Sequence, residues 1–425
     1  NPGDRAGTSV SSDGDWVAIG IPGRREVRLF ALQNDLWQER QTVVPLGDGI
    51  VDEGFGSKIV LSGTSLFVGA PDAESGAGRV SVFTLNDDVE QDPWEFTQHL
   101  GLGAGLTNGF GKAMDVDGVE GRAIIGAPVG DGGAYSVQRL EGVWVITKDL
   151  SIDLPTSYGE LGFEIELVGE YAYIANPLIN VTGTTLGVVW AYMWEEDDGA
   201  DGGLSDFSMI TFVAPPDGAT GTQFGAALSL QPGILLVGSP NEDGVGAVHT
   251  YTYPGNPSQM IGLSWHSRTM GATPDGRFGT TLTAGWTDGI AGGLALSGSP
   301  GATSGAGRVD PIALGDVGST DSASRPPYEF AAMIDAGGDA APQQIGHAGD
   351  WAIAGWPNHP GGNGGIRLFK HDGTTWSPVG DMLAGTVEGF GRSIAMLDGV
   401  AAIGSPNENG SGLVHMYSYS DTGLT

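Results

Sequence analysis

The sequence predicts an all-β protein, a β-propeller of four-stranded antiparallel blades, and three observations predict it. One unit recurs eight times along the 425 residues. Every copy holds three short apolar or alternating segments, and seven copies add a fourth that opens on an aromatic residue. No stretch carries a 3.6-residue apolar period long enough for a helix, whereas period-two alternation marks strands with one buried face. A small sheet cannot cover both of its faces alone, so a series of such sheets buries them against one another, which is the logic of a propeller.

The centre of the unit is a short apolar strand ending in a small residue, a variable residue and Pro, as in Phe67-Val68-Gly69-Ala70-Pro71. The prolines are Pro22, Pro71, Pro128, Pro177, Pro240, Pro300, Pro357 and Pro406, at steps of 49, 57, 49, 63, 60, 57 and 49 residues. Upstream stands a Phe-Gly pair (Phe55-Gly56, Phe110-Gly111, Phe224-Gly225, Phe278-Gly279, Phe390-Gly391) or a variant of it (Ala6-Gly7, Leu161-Gly162, Ala341-Pro342). From the pair to the Pro is 16 residues in six copies, 18 in the third and 22 in the sixth. That spacing holds two strands and a tight turn such as Ser62-Gly63-Thr64, and the sixth copy places its extra residues in the turn, at 284–293. Glycine at both signatures suits close backbone approach or positive φ. After the Pro comes a polar, Gly-rich loop and an alternating strand such as Gly78-Arg79-Val80-Ser81-Val82-Phe83. The fourth segments occupy 37–44, 94–100, 144–150, 207–213, 265–270, 328–334 and 376–383.

The chain therefore reads as one domain, 1–425, with approximate repeats 1–50, 51–103, 104–153, 154–213, 214–272, 273–335, 336–386 and 387–425. Eight copies of the first three strands favour eight blades. Only seven fourth segments occur before Thr425, and seven blades is the alternative.

Composition narrows the function. With 18 Lys+Arg against 51 Asp+Glu the net charge is −33, which repels polyanions and anionic lipid and argues against nucleic-acid partners and membrane adsorption. Cysteine is absent, which excludes disulfides, thiolate metal centres and cysteine nucleophiles. No apolar run approaches the ~20 residues of a membrane span. The opening Asn1-Pro2-Gly3-Asp4, without Met or a leader pattern, reads as a processed or trimmed product.

The Phe-Gly pair followed by Gly-Ala-Pro resembles the FG-GAP repeat of integrin α-subunit propellers and many secreted microbial proteins, most closely from Gly54-Phe55-Gly56 through Val68-Gly69-Ala70-Pro71 to Gly78-Arg79-Val80. The resemblance runs over essentially the whole chain. It implies a propeller used for recognition or adhesion, secreted or at the cell surface, often with calcium held in the first inter-strand turn.

That family's calcium loop is Asp-x-Asp-x-Asp-Gly, since a hard cation takes six to eight oxygens. The third copy comes nearest, with Asp115, Asp117 and Glu120 as the expected ligands, although the third Asp is missing. The bland reading is a turn in which Asp accepts its own backbone amides. A second candidate is the rim formed by the loops after the Pro: Asp72 and Glu74, then Asn241, Glu242 and Asp243, then Asn407, Glu408 and Asn409. These carboxylates and amides could bind a cation or sugar hydroxyls, or could be hairpin-turn chemistry. His249 and His415 occupy equivalent places in their copies and read as structural, while His99, His266, His347, His359 and His371 show no metal-ligand spacing. No nucleophile elbow, phosphate loop or zincin motif occurs. Insertions at 178–186 and 315–327, the acidic run Glu195-Glu196-Asp197-Asp198 and the sequons at Asn180 and Asn409 complete the features.

Together these lead to a non-enzymatic extracellular module that binds a protein or glycan through propeller loops, with no cofactor apart from the calcium candidate. The alternatives are a self-assembling subunit of a filament or surface layer and, on the strength of abundant carboxylates, a polysaccharide lyase or hydrolase.

Overall fold

The computed structural model describes residues 4–33, 36–46, 53–86, 91–103, 108–130, 132–151, 159–181, 184–196, 205–216, 218, 220–231, 234–252, 263–271, 277–285, 294–299, 308–313, 344–357, 363–372, 376–385, 389–397, 399–408 and 412–425. Its strands fall into consecutive antiparallel sheets, each meandering in chain order. The first is β1 (Val10–Asp13), β2 (Trp16–Ile21), β3 (Glu26–Gln33) and β4 (Leu36–Val43). The second is β5 (Lys58–Ser62), β6 (Ser65–Ala70), β7 (Arg79–Leu85) and β8 (Trp94–Leu100). The third is β9 (Ala113–Asp117), β10 (Arg122–Gly126), β11 (Ala134–Leu140) and β12 (Val143–Asp149). The fourth is β13 (Ile165–Val168), β14 (Tyr171–Val181), β15 (Thr184–Glu195) and β16 (Asp206–Val213). The fifth is β17 (Ala227–Gln231), β18 (Ile234–Ser239), β19 (Ala247–Thr252) and β20 (Ser264–Met270). The sixth is β21 (Thr281–Gly285), β22 (Leu294–Ser299) and β23 (Arg308–Ala313). The seventh is β24 (Gln344–Ala348), β25 (Trp351–Trp356), β26 (Gly365–His371) and β27 (Trp376–Ala384). The eighth is β28 (Ser393–Leu397), β29 (Val400–Ser405), β30 (Leu413–Ser420) and β31 (Gly423–Leu424).

The fold is thus all-β, a propeller of four-stranded antiparallel blades. Seven sheets have four strands, whereas eight such blades were favoured from the sequence. In the sixth repeat three strands are described, and the segment 328–334 expected as its fourth lies outside the described residues. The eighth repeat, expected to lack a fourth strand, has a two-residue one, Gly423–Leu424. The insertion at 178–186 lengthens the β14–β15 hairpin to strands of 11 and 12 residues, past a bulge between Asn176 and Ile179.

Contacts divide the chain into two compact units, Asn1–Ala214 with Gly410–Val414, and Pro215–Asn409 with His415–Thr425. Within the first unit each hydrophobic cluster draws on two neighbouring sheets. Val27, Leu29 and Val43 of the first sheet pack with Phe55, Ile59 and Val68 of the second, and Val80, Val82 and Leu100 of the second with Phe110, Met114 and Ile125 of the third. Val43 and Leu100 end the fourth strands of their sheets, opposite Val27 and Val80, so the last fourth-strand residue plugs the gap to the next sheet.

The glycine signature has a steric cause. A Cβ on Gly69 would lie 2.2 Å from the carbonyl oxygen of Gly111, the Phe-Gly glycine of the next sheet. In the second unit Gly238 stands in the same relation to Gly279 at 2.1 Å. The Phe-Gly glycine is also held within its own sheet, Gly111 N donating to Gly126 O at 3.0 Å and Gly225 N to Gly238 O at 2.9 Å.

Candidate functional site

The loops after the Pro turn out to be divided. Glu242 is fully buried, its Oε2 lying 2.7 Å from His249 Nε2 and its Oε1 accepting from Arg268 Nη1 at 2.8 Å. Burial raises its carboxyl, but the His249 hydrogen bond and charge, with Ser239 and Arg268, hold it below the ordinary carboxylate value. In the eighth sheet Glu408 Oε2 meets His415 Nε2 at 2.6 Å. The Phe of the Phe-Gly pair stacks edge-on to each imidazole, Phe224 on His249 and Phe390 on His415, both at 5.2 Å between centroids. In the second repeat Glu74 pairs with Arg79 at 3.4 Å.

Glu242 and Glu408 are therefore not rim ligands. They are buried anchors that tie the loop to the third strand, because an ionised carboxylate taken into the interior must find a cation or donors there. What stays exposed are the flanking residues Asp72, Asn241, Asp243 and Asn407. Asn409 lies outside the described residues. The histidines at equivalent repeat positions are the partners of these anchors. Arg268 was missed, since nothing in the local sequence of a fourth strand announces that it will reach back to a loop.

The calcium expectation also needs correction. Asp115 spends one oxygen on the amide of Val116 at 2.9 Å and the other on the amide of Leu167, in the next sheet, at 2.8 Å. Asp117 Oδ1 accepts from Val119 N at 3.2 Å and Glu120 N at 3.0 Å, closing the turn locally. Glu120 is exposed and faces Arg122 at 3.8 Å. Among the described residues no group of three or more His, Asp or Glu side chains could hold a metal. The three carboxylates do not fit a calcium site.

Asp115 instead belongs to a recurring device. First strands of successive sheets do not pair with each other, so their free amides are met by side chains from the preceding sheet. Ser9 Oγ accepts from Ile59 N (3.1 Å), Ser11 Oγ from Leu61 N (3.0 Å), Asp13 Oδ2 from Gly63 N (2.6 Å) and Ser62 Oγ from Gly118 N (2.9 Å). The outer strands are clipped similarly: Gln98 donates to Trp144 O and accepts from Trp144 N, as Gln41 does with Trp94.

Near Asp115 the structure gathers Glu164 and Glu166, with Lys58 in electrostatic range, none of which the sequence singled out. Although each acid keeps some accessible surface, protein crowds it enough for desolvation to dominate. Desolvation raises the carboxyls of Asp115 and Glu164, and it raises Glu166 well above the ordinary range, helped by the charges of Asp115 and Glu164 and opposed by Lys58. The alternation Glu164-x-Glu166 on the face opposite to buried Ile165 and Leu167 was the signal available.

No family model matches the chain, and no curated protein matches it. Among solved structures, Saccharomyces cerevisiae Sqt1 is similar over 99% of this chain and 97% of that one, with a TM-score of 0.59 and 11% sequence identity. At that identity the likeness shows the fold alone.

Proposed function

We propose that the chain is a non-enzymatic recognition or adhesion module, secreted or at a cell surface, that binds a protein or glycan through the loops following its repeat prolines. The reading joins the FG-GAP resemblance to one structural observation. In the Glu242 and Glu408 loops a buried carboxylate locks the base, while Asn241 and Asp243, or Asn407, remain exposed on a pre-organised turn. Exposed polar groups on a rigid frame lose little freedom when a ligand binds. An array of glycans and matrix proteins, probed with and without calcium, supplies the test. Binding that falls at least tenfold in Asp72→Ala, Asn241→Ala, Asp243→Ala or Asn407→Ala, with unchanged thermal midpoint, supports the reading. Silence across the array refutes it.

The carboxyls of Asp115, Glu164 and Glu166 favour a second reading, a polysaccharide lyase or hydrolase. A carboxyl whose proton affinity burial has raised is a general-acid candidate. Turnover of an acidic or neutral polysaccharide, abolished by Glu166→Gln, would establish it. No turnover by the folded protein would remove it.

A further inference from the structure

The fourth strand of the fifth sheet carries an aromatic side chain that the repeat does not use. In four other sheets the aromatic residue that opens the fourth strand is buried: Trp94 and Trp144 are 2% exposed, Phe207 0% and Trp376 5%. Trp94 stands opposite Leu85 and Trp376 opposite His371. Trp265 does not take that place. It stands opposite Tyr251, which corresponds by repeat position to Phe83 and Phe369, two residues nearer the start of the third strand. Their partners are Phe96 and an exposed proline, Pro378, so the repeat demands no buried wedge there. Trp265 is 50% exposed, and among the described residues of the second unit no other large apolar side chain is exposed.

Register fixes what lies beside it. His249 and Tyr251, two residues apart, share one face of the third strand, and Arg268 and Trp265 stand opposite them on that face. There Arg268 Nη1 meets the Glu242 carboxylate at 2.8 Å and that of Asp243 at 3.9 Å. Asp243 is 63% exposed, and Asn241 is exposed as well. Indole, guanidinium and loop carboxylate therefore form one strip, running from the outer strand to the loop after Pro240.

We propose that Trp265, with Asn241 and Asp243, forms a binding site for an uncharged glycan. The C–H face of a pyranose stacks on the indole, and its hydroxyls bond the exposed amide and carboxylate. The site rests on the recognition reading and names the ligand class at one of its loops. A sugar ring offers weakly positive C–H groups to the negative face of an aromatic ring, and hydroxyls at its edge to polar side chains. A protein partner needs a contiguous contact of roughly 800 Å² a side with an apolar centre, which a lone indole among polar groups does not supply. An acidic or sulfated glycan is repelled by a chain of charge −33, and the guanidinium of the strip is already held by Glu242.

The test titrates the full chain with uncharged hexasaccharides of glucose, mannose, galactose and N-acetylglucosamine, and with a heparin hexasaccharide as the anionic control. Saturable binding of an uncharged sugar, weakened about tenfold or more by Trp265→Ala and by Asp243→Ala and largely restored in Trp265→Tyr, supports the proposal. Thermal midpoints check that the variants fold. Sugar should also shift the tryptophan emission of the wild type, and that shift should be absent in Trp265→Tyr, a readout independent of the Ala variant. No binding of any uncharged sugar up to about 10 mM would overturn the proposal, as would tighter binding of heparin or binding indifferent to Trp265. A protein ligand lost on Trp265→Ala would overturn it in favour of a protein partner. If the hexasaccharides fail while an array ligand sensitive to Asn407→Ala persists, this site alone falls. Silence across the array removes the recognition reading with it.

Discussion

Replacing Gly69 by Ala tests the steric account of the repeat signature most directly. The added methyl would lie 2.2 Å from Gly111 O and 3.1 Å from Met114 Cε. The thioether end can swing aside, but the carbonyl cannot, because Gly111 is itself hydrogen-bonded to Gly126. Restoring an ordinary contact means separating two main chains by about 1 Å in a close-packed interior. Overpacking of that kind costs roughly 1–3 kcal/mol, and a backbone obstacle puts Gly69 toward the upper end. Against it stands a gain of about 0.4–1 kcal/mol from a stiffer unfolded chain. The net expectation is a loss of about 2 kcal/mol, roughly a thirtyfold shift in the folding equilibrium. Chemical denaturation of wild type and Gly69→Ala, followed by tryptophan fluorescence, measures it. An unchanged or higher midpoint would refute the argument, since Gly69 would then be free space and not a contact between sheets.

Other residues give predictions of either sign. Glu242→Gln leaves His249 and Arg268 without their anion and should cost about 3 kcal/mol at neutral pH, read from the unfolding midpoint. Because the Glu242 carboxyl is depressed, its contribution is present above the ordinary value of 4.5 and drains as pH falls through the folded value; the variant should lose that acid-side decline. Glu166 runs the other way: raised in the folded state, it erodes stability as pH climbs above 4.5, so Glu166→Gln should raise the neutral-pH midpoint and flatten the profile there. Leu100→Ala empties an occupied inter-sheet socket and should cost about 2–5 kcal/mol by denaturant titration.

The repeat skeleton was legible because its constraints are local and steric. A glycine facing a carbonyl, or a turn such as Ser62-Gly63-Thr64 with Gly63 at φ 56°, leaves few alternatives at that position, and recurrence exposes it. The strands after the Pro were legible from alternation. The fourth strand of the eighth sheet was not, because Gly423–Leu424 follows β30 through a turn too short to leave the spacer seen in other copies. The loops after the Pro were read as uniformly outward-facing, and the structure divides them. Asn241, Glu242 and Asp243 are three adjacent polar residues, and sequence treats them alike. Only the third strand, by placing His249 beneath the loop, decides that the middle one turns inward.

The same reasoning bears on why so acidic a chain folds. Much of its carboxylate that enters the structure is matched at short range: Glu242 with His249 and Arg268, Glu408 with His415, Glu74 with Arg79, Asp13 and Asp115 with free amides of the next first strand. An acid used this way replaces the ladder partner that a first strand lacks, so Asp serves here where Ser9, Ser11 and Ser62 serve elsewhere. Glu164 and Glu166 break that pattern. They share a crowded space with Asp115, and the opposing charge of Lys58 does not offset their desolvation, so their burial works against folding at neutral pH. At the corresponding repeat positions the first sheet carries Ser9 and Ser11, which are neutral and accept amides of the second sheet. Two acids placed together on one first strand are thus the reverse of the matched carboxylates, and the neutral-pH gain expected of Glu166→Gln measures what their burial costs.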